Sequence, residues 1–193
     1  MTAAIVLAGA PDGPDVLEGL AGRLDLSRRR VLQATLLAHA EAWAATVAPE
    51  AVTVLLHRGD AETQLEPAVA AAFDAHGAPV IVVNAGVPRL GPVHAAGALG
   101  DLAAGAAVTF GPHMDGGWYL VALASPLPEL LSLAVDVWEG PVVMARMFQV
   151  AARLDLEFGL LRMERRLATA DDMAAVLLDP LTPAAIRTAL VQE

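Results

Sequence analysis

The sequence predicts a three-layer α/β/α, Rossmann-like fold around a mostly parallel central sheet, and three observations carry that prediction. Short apolar runs alternate with longer segments of helical periodicity along most of the chain, the pattern that βαβ units require. No stretch is composed like an interdomain linker and no internal repeat is present, so the 193 residues read as one domain over 1–193, long enough to bury a core without cross-links. Hydrophobic residues make up 56% of the chain, yet no apolar run reaches the roughly 18 residues of a membrane span, so the apolar content is assigned to a core.

The elements follow in order. "AAIVLA" at 3–8 reads as the first strand, followed by a helix near 28–47 for which Ser27 is a suitable cap. "VTVLLH" at 52–57 and "PVIVVN" at 79–84 are the next strands, with helices near 61–75 and 93–104. "AAVTF" at 106–110 and "WYLVAL" at 118–123 continue the sheet, and "LEFGLL" at 156–161 gives a last strand. Helices near 142–153, 170–178 and 183–191 complete the pattern. Met144, Met147 and Phe148 share the core face of the first of these, and Pro183 suits the opening turn of the last. In such sheets ligands bind beyond the carboxyl ends of the strands, so the informative loops follow residues 8, 57, 84 and 110.

Charge and composition remove several function classes. A formal net charge of −10 argues against nucleic acid as a partner, because that binding needs a basic surface to neutralise phosphates. All 12 basic residues are arginine, which excludes a Schiff-base lysine, a P-loop lysine and a lysine general base. Absence of cysteine excludes disulfides, thiolate zinc sites and a cysteine nucleophile. The opening "MTAAIVLAGAP" lacks a basic region and reads as a strand, so a cytoplasmic protein that does not engage membranes is expected. So apolar a chain also makes a homodimer plausible.

The segment "FGPHMDGGWYLVAL" at 110–123 carries the main candidate site. Asp115 stands before Gly116 and Gly117, where missing side chains let a ligand approach and a carboxylate can meet a hydroxyl or a metal. The same residues also suit a plain hairpin turn, since Asp-Gly is a common hairpin signal. Trp118 and Tyr119 offer apolar or stacking surface next to the turn.

This segment resembles a family of bacterial GT-A-like transferases, long labelled a domain of unknown function, whose members carry G-P-x-x-D-G-G-Y-Y-L-x-G-L. Gly111, Pro112, Asp115, Gly116, Gly117, Tyr119, Leu120 and Leu123 fit, and Trp118 replaces the usual tyrosine. The family is related in fold to nucleotide-diphospho-sugar transferases and to guanylyltransferases of molybdenum-cofactor and coenzyme biosynthesis. The resemblance therefore implies a GT-A fold and attack of an acceptor on a nucleoside-diphosphate donor, with a divalent metal, magnesium or manganese, offsetting the charge of the leaving diphosphate.

Other family motifs are degenerate here. The first loop, usually A-P-x-P-G-R-V-K-T-R-L, falls on "APDGPDVLEGL" at 10–20, where Asp15, Leu17 and Gly19 replace the basic residues. An acid in place of cations repels a pyrophosphate. After the third strand, G-[ST]-D-[SC]-P-x-L becomes "NAGVPRL" at 84–90, with Gly86 in the acid's place and Arg89 nearby. The late D-x-D-T-x-x-D-L becomes "RLATADDM" at 166–173, keeping Thr169 and Asp172 but carrying Arg166 and Ala168 for the first two acids. A W-S-T motif upstream corresponds to Trp138, Glu139 and Gly140. Losing carboxylates at these places makes a hard cation doubtful, and the expectation is weakened or lost nucleotide-sugar and metal binding. A non-catalytic binding or scaffolding protein on the same fold is the alternative.

Remaining candidates are weaker. His39, His57, His76, His94 and His113 show no zinc-like spacing; His39 and His76 read as surface residues, His94 as a first-turn residue, and His57 and His113 end strands on the ligand side. "SRRR" at 27–30 reads as a solvated face, and no serine lies in a G-x-S-x-G context. The expected site is thus Asp115 as the catalytic residue, with His113, Gly116, Gly117, Trp118, Tyr119 and Arg89 binding a small molecule such as a nucleotide or sugar. No residue set is assigned to a metal. Were transfer chemistry retained, Arg23, Arg89 or Arg146 would have to supply replacement cations near Asp115.

Overall fold

A computed structural model describes residues 3–8, 17–55, 61–77, 79–132 and 141–191. Six strands form one sheet in the order β2-β1-β3-β5-β4-β6: β1 Ala4–Ala8, β2 Val52–Leu55, β3 Val80–Asn84, β4 Val108–Pro112, β5 Trp118–Leu123 and β6 Phe158–Leu160. β1 pairs in parallel with β2 and β3, and β4 pairs in parallel with β6. β5 runs antiparallel to both β3 and β4. The helices are α1 Leu26–Val47, α2 Ala61–His76, α3 Pro92–Ala103, α4 Pro128–Leu131, α5 Val143–Arg153, α6 Ala170–Leu178 and α7 Ala184–Val191.

Burial on both faces explains why the central strands read as unbroken apolar runs. Every residue of β5 is buried, as are Ala4 to Leu7 and Val80 to Val83. Helices α1 and α3 pack against each other, α1 on β1 and α3 on β4, β5 and β6; α2 packs on β1, β2 and β3 and meets α4, which meets α5. A second apolar cluster joins α1, α6 and α7 through Leu32, Leu36, Val176, Ile186 and Leu190, with Leu20 and Leu167 from the connecting segments. Among the described residues, no helix is long and apolar enough to cross a membrane.

The expected elements need local corrections. β4 starts two residues later than the apolar run and continues through Gly111 and Pro112, so part of the glycine motif lies in the strand. β6 is reduced to three residues at the sheet edge, with Phe158 and Leu160 exposed. Helix α1 starts at Leu26 under an Asp25 cap, whose Oδ1 accepts from the Arg28 N–H at 2.9 Å; Ser27 lies inside the first turn. The arginines that follow are not simply a solvated face. Arg29 is buried with Nη1 2.8 Å from Glu18 Oε2, and Arg28 Nη2 donates to the Leu190 carbonyl of α7 at 3.1 Å.

Candidate functional site

Asp115 and the two glycines occupy the hairpin connection between β4 and β5, beyond the carboxyl end of β4. The ladder shifts register at Gly111 and Pro112, and the turn closes through His113 N–H to Gly117 O at 2.8 Å and Gly116 N–H to His113 O at 3.2 Å. Asp115 Oδ1 accepts from the Gly117 N–H at 3.0 Å, so the carboxylate itself shapes the turn. Gly116 has φ +90°, and a Cβ there would run into the Pro141 carbonyl. The turn requires glycine at 116 on both counts.

The other Asp115 oxygen faces a cation. Arg166 Nη2 lies 2.9 Å from Asp115 Oδ2, and both side chains are about half exposed. The stem of Arg166 lies over Gly86, where an added Cβ would sit 3.4 Å from its Cγ, and the Leu167 N–H donates to the Gly86 carbonyl at 3.1 Å. The two degenerate positions Gly86 and Arg166 therefore meet the retained Asp115 in space. Where a GT-A metal would need converging carboxylates, the chain presents one carboxylate already held by a backbone N–H and a guanidinium. These residues do not fit a hard divalent cation, which takes several oxygen ligands. Among the described residues, no three His, Asp or Glu side chains converge.

His113 lies beneath this pair and is buried. Its Nδ1 is 3.4 Å from the Glu164 carbonyl, which can only accept, so Nδ1 carries the proton and Nε2 is left as a buried lone pair without a hydrogen-bond partner. Burial lowers its pKa to about 4 against the opposing pull of Asp115, which keeps the ring neutral at physiological pH. The expectation that Trp118 and Tyr119 offer stacking surface is corrected, because both are buried in β5. The Tyr119 hydroxyl donates to the Arg162 carbonyl at 3.1 Å, and its ring passes over Gly111, where a Cβ would come within 2.6 Å of Cζ. Burial first, then the Glu164 charge, pushes the phenol pKa upward.

The segment after β6 supplies residues that sequence reasoning missed. Leu161 and Glu164 donate N–H groups to the Phe110 and Pro112 carbonyls at 2.8 and 3.1 Å, extending β4's pairing past the strand end. This registers Glu164, a buried carboxylate, against His94 and Arg162. His94 Nε2 is 3.1 Å and Arg162 Nε 2.6 Å from the same oxygen, Oε1. A carboxylate only accepts, so His94 Nε2 carries its proton and Nδ1 takes the Gly91 N–H at 3.0 Å at the start of α3. Burial would raise the Glu164 carboxyl, but the His94 hydrogen bond and the Arg162 charge together hold it below its ordinary value. His94 reads as a first-turn residue and is one, yet nothing in the sequence pairs it with a glutamate 70 positions away. His39, expected at the surface, is half-buried, with Nε2 3.0 Å from the Leu90 carbonyl.

Glu164 lines a cleft of about 160 Å³ at the carboxyl ends of β3, β4 and β6. Arg89, Arg162 and Arg165 line it too, with Met114 from the hairpin and Asp179 beyond α6. Arg89 Nε lies 3.3 Å from Asp179 Oδ2, and Arg165 Nη1 lies 2.8 Å from Asp172 Oδ1. Arg89 lines this cleft, whereas Asp115 and His113 are not among its lining. Arg23 and Arg146 are exposed elsewhere, Arg146 donating to Gln149. Asp15, His57, Trp138, Glu139 and Gly140 lie outside the described residues. Leu17 and Gly19 lie inside them; Gly19 packs so closely on the Ala168 carbonyl that a side chain there would collide with it.

Comparison with known proteins bears on the fold and the family. A crystal structure from Desulfovibrio desulfuricans G20, provisionally named a nucleotide-diphospho-sugar transferase, superposes with a TM-score of 0.74 at 17% identity, covering 98% of this chain and 94% of that one. That likeness establishes a shared fold, the GT-A-like one. No curated protein matches the sequence. The family described as "Uncharacterized protein conserved in bacteria (DUF2064)" matches over residues 20–135, well over half of the chain and including the hairpin with Asp115. The chain belongs to this DUF2064 family.

Proposed function

We propose that the protein is a GT-A-like glycosyl- or nucleotidyltransferase homologue whose nucleotide-sugar and metal handling is weakened or lost, working in the cytoplasm on a small molecule. The observation that carries this reading is the Asp115–Arg166 pair over Gly86. Transfer from a nucleoside-diphosphate donor needs positive charge at the leaving diphosphate, and a bound metal supplies it where carboxylates converge. Here a guanidinium occupies the carboxylate's open side, so a metal would have to displace Arg166 and accept repulsion from it. Metal-independent, weak donor binding follows.

Titration calorimetry with UDP-glucose and GDP-mannose, each with and without manganese, tests the reading. Weak heats that manganese does not change are expected. Tight binding that depends on manganese would overturn it. A non-catalytic binding role on the same fold is the second reading, favoured by the guanidinium that already engages the carboxylate of Asp115. Turnover separates the two: release of nucleoside diphosphate above the uncatalysed rate belongs to the transferase reading alone. A homodimer, proposed from the apolar composition, would show as twice the chain mass in light scattering.

A further inference from the structure

The cleft beside the hairpin combines features that the transferase reading does not use. Three guanidiniums, those of Arg89, Arg162 and Arg165, face two carboxylates, those of Glu164 and Asp179, in a chain whose overall charge is −10. Each guanidinium has a carboxylate partner, Arg89 with Asp179, Arg162 with Glu164 and Arg165 with Asp172, so the cleft offers directed guanidinium donors rather than a net positive charge. The arginines retain donors for a ligand. Asp179 engages Arg89 through Nε at 3.3 Å and Asp172 engages Arg165 through Nη1 at 2.8 Å, each contact using one of the five N–H donors a guanidinium carries.

Glu164 adds a second, opposite feature. It is 3% exposed and is held in place, because His94 and Arg162 both bind Oε1. Oε2 takes neither contact, which leaves this cleft-lining residue a carboxylate oxygen as acceptor. A bare anion would gain from the arginines but meet this carboxylate, whereas a ligand with a hydroxyl would donate to it. The cleft, of about 160 Å³, admits a molecule of a few carbons.

We propose that this cleft is a binding site for a small hydroxylated oxyanion, a phosphate monoester or a carboxylate, with Arg89 and Arg165 on the anionic group and Glu164 Oε2 accepting from the hydroxyl. It stands independently of donor-nucleotide binding, because its probes contain neither nucleotide nor metal. Calorimetry on the full chain with glycerol 3-phosphate and with glycerate distinguishes the two oxyanions. Methyl phosphate, which lacks the carbon-bound hydroxyl, and glycerol, which lacks the charge, are the controls. Saturable binding of glycerol 3-phosphate or glycerate is expected, roughly tenfold or more tighter than methyl phosphate or glycerol.

Two substitutions at the cleft act in opposite directions. Arg89→Gln removes an anion partner and weakens binding roughly tenfold. Asp179→Asn releases Arg89 from its ion pair, keeps the acceptor for the Leu181 N–H, and tightens binding. Because the second variant gains affinity, loss of folding cannot mimic its result. Absence of saturable binding for both hydroxylated probes, equal binding of the controls, or affinity indifferent to Asp179→Asn would each sink the proposal.

Discussion

Arg166 Nη2 and Asp115 Oδ2 lie 2.9 Å apart, tying the β4–β5 hairpin to the segment that crosses Gly86. Both partners are about half exposed, so the pair contributes little stability, on the order of 0–1 kcal/mol. Its effect is on what else Asp115 can bind. Arg166→Asp places a second carboxylate where the guanidinium lies, and manganese affinity measured by paramagnetic resonance should rise from undetectable to measurable. An unaltered manganese signal in the variant would show that Arg166 is not what keeps a cation away.

His113 makes the fold sensitive to acid. Its pKa falls from 6.5 in the unfolded chain to about 4 in the folded one, chiefly through burial. Both states hold the ring neutral above pH 6.5, so stability is unaffected there. As pH drops from 6.5 towards 4 the unfolded chain takes up a proton that the folded one refuses, and stability is lost progressively, by a few kcal/mol in all. Glu164 and Asp172, both held below their ordinary carboxyl values, add a further loss as pH falls through the carboxylate range. In urea titrations at pH 7 and pH 5, His113→Asn should shrink the difference between the two midpoints; the same difference in both proteins would remove His113 as its cause.

Tyr119 holds the segment after β6 to the sheet through one hydrogen bond, from its hydroxyl to the Arg162 carbonyl at 3.1 Å. Tyr119→Phe leaves that carbonyl without its partner and should cost about 1 kcal/mol. It is the only tyrosine, so ultraviolet difference spectra report it alone, and ionisation should begin above its ordinary pH. A normal tyrosinate titration in the folded protein would contradict the burial described.

Gly116 is set by conformation and by space. At φ +90° an L-residue is strained, and its Cβ would meet the Pro141 carbonyl. Gly116→Ala should therefore destabilise by about 1–3 kcal/mol, whereas the neighbouring Gly117→Ala, with no such φ, should cost less. Thermal melts of the two variants give the comparison, and equal midpoints would refute the assignment of strain to Gly116.

What the sequence determined by itself was the layered α/β architecture and the hairpin. Ala4 to Leu7, Val80 to Val83 and Trp118 to Leu123 are apolar at every position because both sheet faces are covered, and that constraint acts on consecutive residues. Asp115, Gly116 and Gly117 were legible for a similar reason, since a turn is specified by adjacent residues. Tertiary structure decided which side chains meet. Arg166 reaches Asp115 and Gly86 only because the chain after β6 crosses the ends of β4 and β3, and Glu164 finds His94 only because β4's pairing continues past Pro112. It also turned Trp118 and Tyr119 from candidate ligand contacts into core. Such pairs join residues tens of positions apart through backbone registration, and a linear pattern carries no trace of that distance.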